Sequence, residues 1–290
     1  MDVFSAGQLS RALDRLHSTI YFAPEANEKF SELGLENPRM QYFASRSAPM
    51  GAVNAKVVAA TFYNFNPDVI AESIPAAWQI ATPAEVTRVR YDIVDAVIPR
   101  ILGDERVRSA ELAHSAQIVR RTAEAIPNAD GRPLYAGHAE ADWPDTVHGQ
   151  LWHAITLLRE YRGDGHIAAL VCHGLSGLEA LITHVATGTG FNPDFGRRLR
   201  GWSQEQWNET VDALRARNLL DDDGRLTSAG SDLRTKVEDL TDELGYAPWR
   251  TVPDDDVSEL VALAEAIRDA VRNSGAIPAN AFGPRYGQHR

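Results

Sequence analysis

The sequence predicts a mainly α protein: two winged-helix-like units, helices with short β-hairpin wings, in tandem duplication as a single-chain pseudo-dimer. Three observations predict it. Motifs of the first half return in the same order in the second. Each half carries a capped helix that runs into a polar turn and a strand-like segment, and each is closed by a long amphipathic helix. The implied division is 1–140 for the first unit with its linker and 141–290 for the second with its C-terminal tail.

The repeat begins with Leu16-His17-Ser18-Thr19-Ile20 against Trp152-His153-Ala154-Ile155-Thr156, each opening a helical stretch that ends near an acid, Glu25 or Glu160. Ala48-Pro49-Met50-Gly51 is then matched by Cys172-His173-Gly174. The clearest identity is Phe65-Asn66-Pro67-Asp68 with Phe191-Asn192-Pro193-Asp194, followed by Trp78 in one half and Trp202 in the other. His153 follows His17 by 136 positions and Arg225 follows Arg106 by 119, a drift that changing loop lengths produce while order is kept.

Helix starts follow from capping chemistry. Thr82-Pro83-Ala84-Glu85 combines a capping hydroxyl, proline at the first helical position and a glutamate that reaches back to the cap. Ser203-Gln204-Glu205-Gln206 repeats the device and opens a helix through Trp207, Val211 and Leu214 to Leu219. Each helix is followed by a polar turn and by Arg106-Val107-Arg108 or Arg225-Leu226-Thr227, the expected wings. Amphipathic helices then run through Leu112, Ile118 and Val119, and through Leu233, Val237, Leu240 and Leu244. Residues 126–135, extending to Trp143-Pro144, read as a linker whose aromatic residues pack. Residues 275–290, with two prolines and a polar end, read as a surface tail.

The run from Arg217 through Leu219-Leu220, the Asp221-Asp222-Asp223-Gly224 turn and Leu226-Thr227-Ser228-Ala229-Gly230 resembles the wing of MarR-type regulators. Tyr21-Phe22-Ala23-Pro24-Glu25-Ala26, Phe62-Tyr63-Asn64-Phe65 and Arg162-Gly163-Asp164-Gly165-His166 carry a whole-length similarity to actinobacterial proteins with a helix-turn-helix domain and no assigned activity. The resemblance implies a DNA-binding scaffold, with ligands held in the crevice between dimerisation and DNA-binding helices.

Composition narrows the function. A chain of 290 residues buries a core without disulfides or structural metals. Its one cysteine, Cys172, ends the apolar run Ile167-Ala168-Ala169-Leu170-Val171, which predicts a buried, inert thiol and a reducing cytoplasm. The first residues lack the basic stretch and apolar core of a signal peptide, and no apolar run approaches the roughly 18 residues of a membrane span. The chain is therefore expected to be neither exported nor membrane-embedded. Phosphate-loop, dinucleotide, GxSxG and kinase motifs are absent, as are HxxxH, HExxH and paired-cysteine spacings. No cofactor is identified and no metal site is expected.

A net charge of -11 opposes polyanions, so DNA binding needs a local basic patch. From Ser203 to Arg225 six acids face three arginines, and from Thr82 to Arg108 five face five. The best basic run is Arg197, Arg198 and Arg200, which reads either as a phosphate contact or as a solvated helix face. DNA as a partner is thus allowed by the resemblance and disfavoured by charge.

The candidate ligand residues fall into four groups. His153, Thr156 and Glu160 share one helical stripe, with His17 and Tyr21 as counterparts in the first half. His166 and His173 are seven residues apart on one face, about 10 Å along a helix and too far to share a metal. In the stretch around Asp164, glycines would turn the backbone and bring Asp164 to His166; Asp164 there either caps the following helix or orients the imidazole. The aromatic cluster Tyr42, Phe43, Phe62, Tyr63 and Phe65, with Arg46 one turn from Tyr42, either packs as core or lines an apolar pocket with a cation at its mouth. The expected function is small-molecule binding in an interdomain pocket, with DNA binding weak or lost. A ligand-responsive regulator and a cofactor-free acid-base enzyme using a His/Asp pair are the alternatives.

Overall fold

The computed structural model describes residues 1–276 and 281–285. The first half holds α1 (Val3–Ser18), α2 (Pro24–Glu32), α3 (Pro38–Ser47), α4 (Ala55–Phe62), α5 (Pro67–Ala71), α6 (Ala77–Ile80), α7 (Pro83–Leu102), α8 (Asp104–Val107) and α9 (Ala110–Glu124). There follow α10 (Pro133–Ala139), α11 (Val147–Cys172), α12 (Gly177–Ala186), α13 (Pro193–Leu199), α14 (Gln204–Ala216), α15 (Ser228–Gly245) and α16 (Asp254–Ser274).

Short polar side chains start most of these helices by accepting the orphan backbone N–H groups of the first turn. Thr82 and Ser203 form complete capping boxes with Glu85 and Gln206, as their spacing predicts. The repeated tetrapeptide does one local job twice: Asn66 caps α5 and Asn192 caps α13, each with proline at the first helical position.

The expected wings are the main correction. Among the described residues there is no β-strand, only the isolated bridges Leu220↔Leu226 and Phe191↔Phe282. Arg106 and Val107 belong to α8, where the Val107 N–H bonds to the Gly103 carbonyl at 3.1 Å and Asp104 and Glu105 suit the first turn. Around Leu226 the chain does turn back, because the Asp221 carboxylate accepts N–H groups of Asp223 and Arg225 at 3.0 and 2.8 Å. Thr227 then caps α15, so the returning arm becomes helix before it becomes strand. The tandem winged-helix pseudo-dimer is accordingly replaced by a mainly α fold without wings.

The principal core runs from Ala6 to Val271 and crosses position 140. α11 is its axis, packed against α9, α15, α1, α10 and α7, while α16 returns to lie on α1, α7 and α9. Leu134 and Tyr135, in the expected linker, are buried on α10 against α11. A smaller cluster, including Leu181, Ile182, Leu214 and Leu219, holds α12 and α14 together, and α13 packs on α12. The turn between α13 and α14 contains Gly201 at φ +78°, where any Cβ would meet Val69 at 2.7 Å. Of the expected surface tail, Ala281 is buried and Phe282 stacks on Phe191 at 5.1 Å; residues 277–280 and 286–290 lie outside the described residues. Cys172, expected to be buried, is exposed at the end of α11. No single helix among the described residues is long and apolar enough to cross a membrane.

Candidate functional site

Where the α12–α14 unit meets the helical body, a cavity of about 400 Å³ opens between α1, α3, α11, α12 and α15. Arg46, Tyr63, Glu160, Asp164, His166 and Arg200 are among its lining residues. Tyr42 and Arg46 stand one turn apart on α3, so both side chains leave the same face. Arg46 donates to the Tyr42 hydroxyl at 3.1 Å and to Glu160 at 3.4 Å, with its guanidinium 4.4 Å from the Phe62 ring centre. From α11, Arg159 also donates to Glu160, and its Nε reaches Asp14 at 3.0 Å.

Charge is concentrated at this end of the cavity. Burial alone would raise the pKa of Glu160, which is 2 % exposed, but Arg159 and Arg46 outweigh it and hold the carboxyl at about 2. For Tyr42 burial again acts upward, yet Arg46, Arg200 and Arg159 bring the phenol down to about 8. Arg200 enters from the α13–α14 turn, its guanidinium 4.1 Å from the Phe65 ring centre and 5.4 Å from that of Phe191, and faces Tyr42. Burial lowers its pKa.

At the opposite end every cation has a carboxylate: Arg162 pairs with Asp242 at 2.7 Å and Glu238 at 3.4 Å, Arg11 with Asp242 at 2.8 Å and Arg234 with Glu238 at 2.6 Å. There His166 Nδ1 meets the Thr241 hydroxyl at 2.8 Å, and burial pushes the imidazole down to about 3. Tyr63 donates to the Leu175 carbonyl at 2.6 Å.

Asp164-Gly165-His166 is not a turn. It lies inside α11, and Asp164 accepts the backbone N–H groups of Leu134 and Tyr135 at 3.1 and 3.0 Å, tying down the start of α10. Asp164 and His166 therefore serve different partners and do not form an acid-base pair. Gly165 is there for close approach: a Cβ would lie 2.6 Å from Nη1 of Arg132, which crosses α11 to donate to the Tyr161 and Leu244 carbonyls.

His17, Tyr21, His153 and His173 do not line the cavity. His17 and Tyr21 sit in a buried network with Thr156, and His153 Nδ1 meets the Tyr91 hydroxyl at 2.7 Å. His173 lies at the C-terminal end of α11. Sequence reasoning missed Arg159 and Arg90. Arg90 is fully buried, 4.9 Å from the Trp152 ring centre, and donates to Ser45 and Tyr21. Its signal was present: it interrupts the apolar stripe Val86, Val89, Ile93 and Val97 of α7.

Of the three arginines singled out for DNA, Arg200 turns inward, Arg197 donates to the Trp202 carbonyl at 3.2 Å and Arg198 is exposed. The solvent face of α14 presents Gln204, Glu205, Asn208, Glu209 and Asp212. Arg215 and Arg217 are paired with Asp212 at 3.0 Å and Glu179 at 2.5 Å.

No curated protein and no solved structure matches the chain. The helix-turn-helix family does match, over residues 6–278 and so across both the helical body and the α12–α14 unit: the chain belongs to this helix-turn-helix family.

Proposed function

We propose that this helix-turn-helix protein binds a small molecule in the cavity between its helical body and the α12–α14 unit. The observation that carries the reading is the composition of that cavity: an aromatic and apolar wall that includes Phe62, Phe65, Leu170, Leu181 and Phe191, with charged side chains at both ends and Arg46, Arg159 and Arg200 gathered at one of them. Such mixed clefts of a few hundred Å³ are the usual setting of small-ligand sites. Binding is favoured over acid-base catalysis because Asp164 and His166 are each engaged elsewhere.

The test is calorimetric titration with 1-naphthamide and 1-naphthoate, repeated on Ile167→Trp, which fills the cavity from a partly exposed wall. Saturable one-to-one binding, weakened at least tenfold in Ile167→Trp at unchanged melting temperature, supports the reading. Binding that ignores the tryptophan, or no binding of either compound, overturns it.

A second reading, DNA binding regulated by that ligand, is favoured by one arrangement. α13 and α14 are joined by a tight glycine turn, as in a helix-turn-helix that lays its second helix in the major groove. The acidic face of α14 opposes it, and the ligand reading stands first.

A further inference from the structure

The cavity carries more positive charge at one end than its own carboxylates balance. Three guanidiniums, of Arg46, Arg159 and Arg200, converge around Tyr42 and Glu160. Glu160 is shared by Arg46 and Arg159, and the other acid in reach, Asp14, is taken by Arg159. Arg200 has no carboxylate within ion-pair distance among the described residues, and Nε of Arg200 and of Arg46 are both buried without a hydrogen-bond partner. Arg46 instead donates to the Tyr42 hydroxyl, a neutral group, at 3.1 Å from α3, and Arg200 faces the same tyrosine from the neighbouring α13–α14 turn. A buried guanidinium facing aromatic rings and a phenol retains donors suited to a planar or tetrahedral oxyanion.

We propose, building on the cavity-binding reading, that the ligand is an organic acid whose carboxylate or phosphate sits between Arg46 and Arg200 against the Tyr42 hydroxyl, with its apolar body along Phe62, Phe65 and Phe191. Phe62 and Phe65 meet at a 54° tilt, 6.3 Å apart between ring centres, and Arg200 bridges Phe65 to Phe191. The anion supplies the charge that the protein leaves unmatched. One of its two cations belongs to the helix-turn-helix turn, so the ligand touches both parts of the molecule.

Three naphthyl probes that share one apolar body separate the terms: 1-naphthamide, its isostere 1-naphthoate and 1-naphthyl phosphate, titrated calorimetrically at fixed ionic strength. One or both acids bind at least tenfold more tightly than the amide, and the tighter of the two identifies carboxylate or phosphate as the acidic group. Arg200→Gln abolishes that preference in a protein that keeps its melting temperature. Arg200→Lys restores part of it, and Tyr42→Phe, which keeps both cations, costs twofold to fivefold. Equal binding of acids and amide by the wild type, or an acid preference that survives in a folded Arg200→Gln protein, overturns the anion site and leaves the cavity reading intact. Failure of all three probes overturns both.

Discussion

His17 Nδ1 lies 2.8 Å from the Thr156 hydroxyl, a buried bond that joins α1 to α11 and fixes a chain of donors through the core. Thr156 spends its own hydrogen on the Trp152 carbonyl at 2.8 Å, so it accepts from His17 Nδ1–H. His17 Nε2 then accepts from the Tyr21 hydroxyl at 3.0 Å, and that oxygen accepts from Arg90 at 2.8 Å. The imidazole is neutral: burial, with Arg159 and Arg90 nearby, holds its pKa well below the usual value.

Thr156→Val keeps the shape and removes the acceptor, leaving a buried N–H unsatisfied. We expect a loss of about 1–3 kcal/mol in unfolding free energy. Thr156→Ser, which retains the hydroxyl, should lose only about 1 kcal/mol for the missing methyl. Urea denaturation at constant m-value measures both; equal losses would remove the hydrogen bond from the account.

Stability should fall as pH drops from about 6.5 toward 4. His17 and His138 are held well below the ordinary histidine value, His153 and His184 lie at about 4, and His166 at about 3, in every case chiefly through burial. In that window the unfolded chain takes up protons that the native protein refuses, so unfolding gains with each added proton. Asp164, raised to about 6, acts with the opposite sign, but it is one group against five. The unfolding free energy from urea titrations should therefore fall by at least about 1.4 kcal/mol per pH unit between pH 6 and 5. A flat profile there would mean that these rings are hydrated in solution.

The acidic face of α14 predicts no specific duplex binding at physiological salt. At about 50 mM salt, association should be weak and steeply salt-dependent, resting on few arginines such as the exposed Arg198. Replacing Glu205, Glu209 and Asp212 with lysine should raise affinity for a 30-base-pair duplex at least tenfold at about 50 mM salt, read by fluorescence anisotropy. A sub-micromolar complex of the wild type with one operator at physiological salt would show that charge on this face does not decide the matter.

What could be read from the sequence was local. The capping boxes at Thr82 and Ser203 sit where spacing puts them, because capping needs only residues within one turn. The i,i+4 relation of Tyr42 and Arg46 also survives, and with it the cation beside an aromatic cluster. What failed depended on distant partners. Gly165 looked like a turn residue, but it makes room for Arg132 and Leu244, which come from elsewhere in the chain. Leu226 looked like a strand, but Thr227 caps a helix and, among the described residues, no strand extends the bridge. Arg200 looked like a surface cation; only the approach of Phe65 and Tyr42 from the first half turns it inward. Its neighbour Arg198, of the same residue type, stays in solvent.

Asp164 offers a test in which stability and pH are read together. A single oxygen of its carboxylate accepts both N–H groups at the start of α10, so an amide oxygen can do the same. Burial, reinforced by Glu160 and resisted by those two hydrogen bonds, raises its pKa to about 6. A raised carboxyl contributes stability that is complete below the unfolded value near 3.9 and is lost as pH rises through 6. Asp164→Asn keeps the cap and carries no charge to bury. Its stability relative to wild type should rise between pH 4 and 7.5, by about 1–3 kcal/mol, while the histidine contributions cancel between the two proteins. Asp164→Ala should instead be less stable than Asp164→Asn at every pH by about 1–3 kcal/mol, the cost of two N–H groups left without an acceptor. If Asp164→Asn and wild type keep a constant difference across that range, the carboxyl is ionised throughout and the burial of its charge is not what sets its pKa.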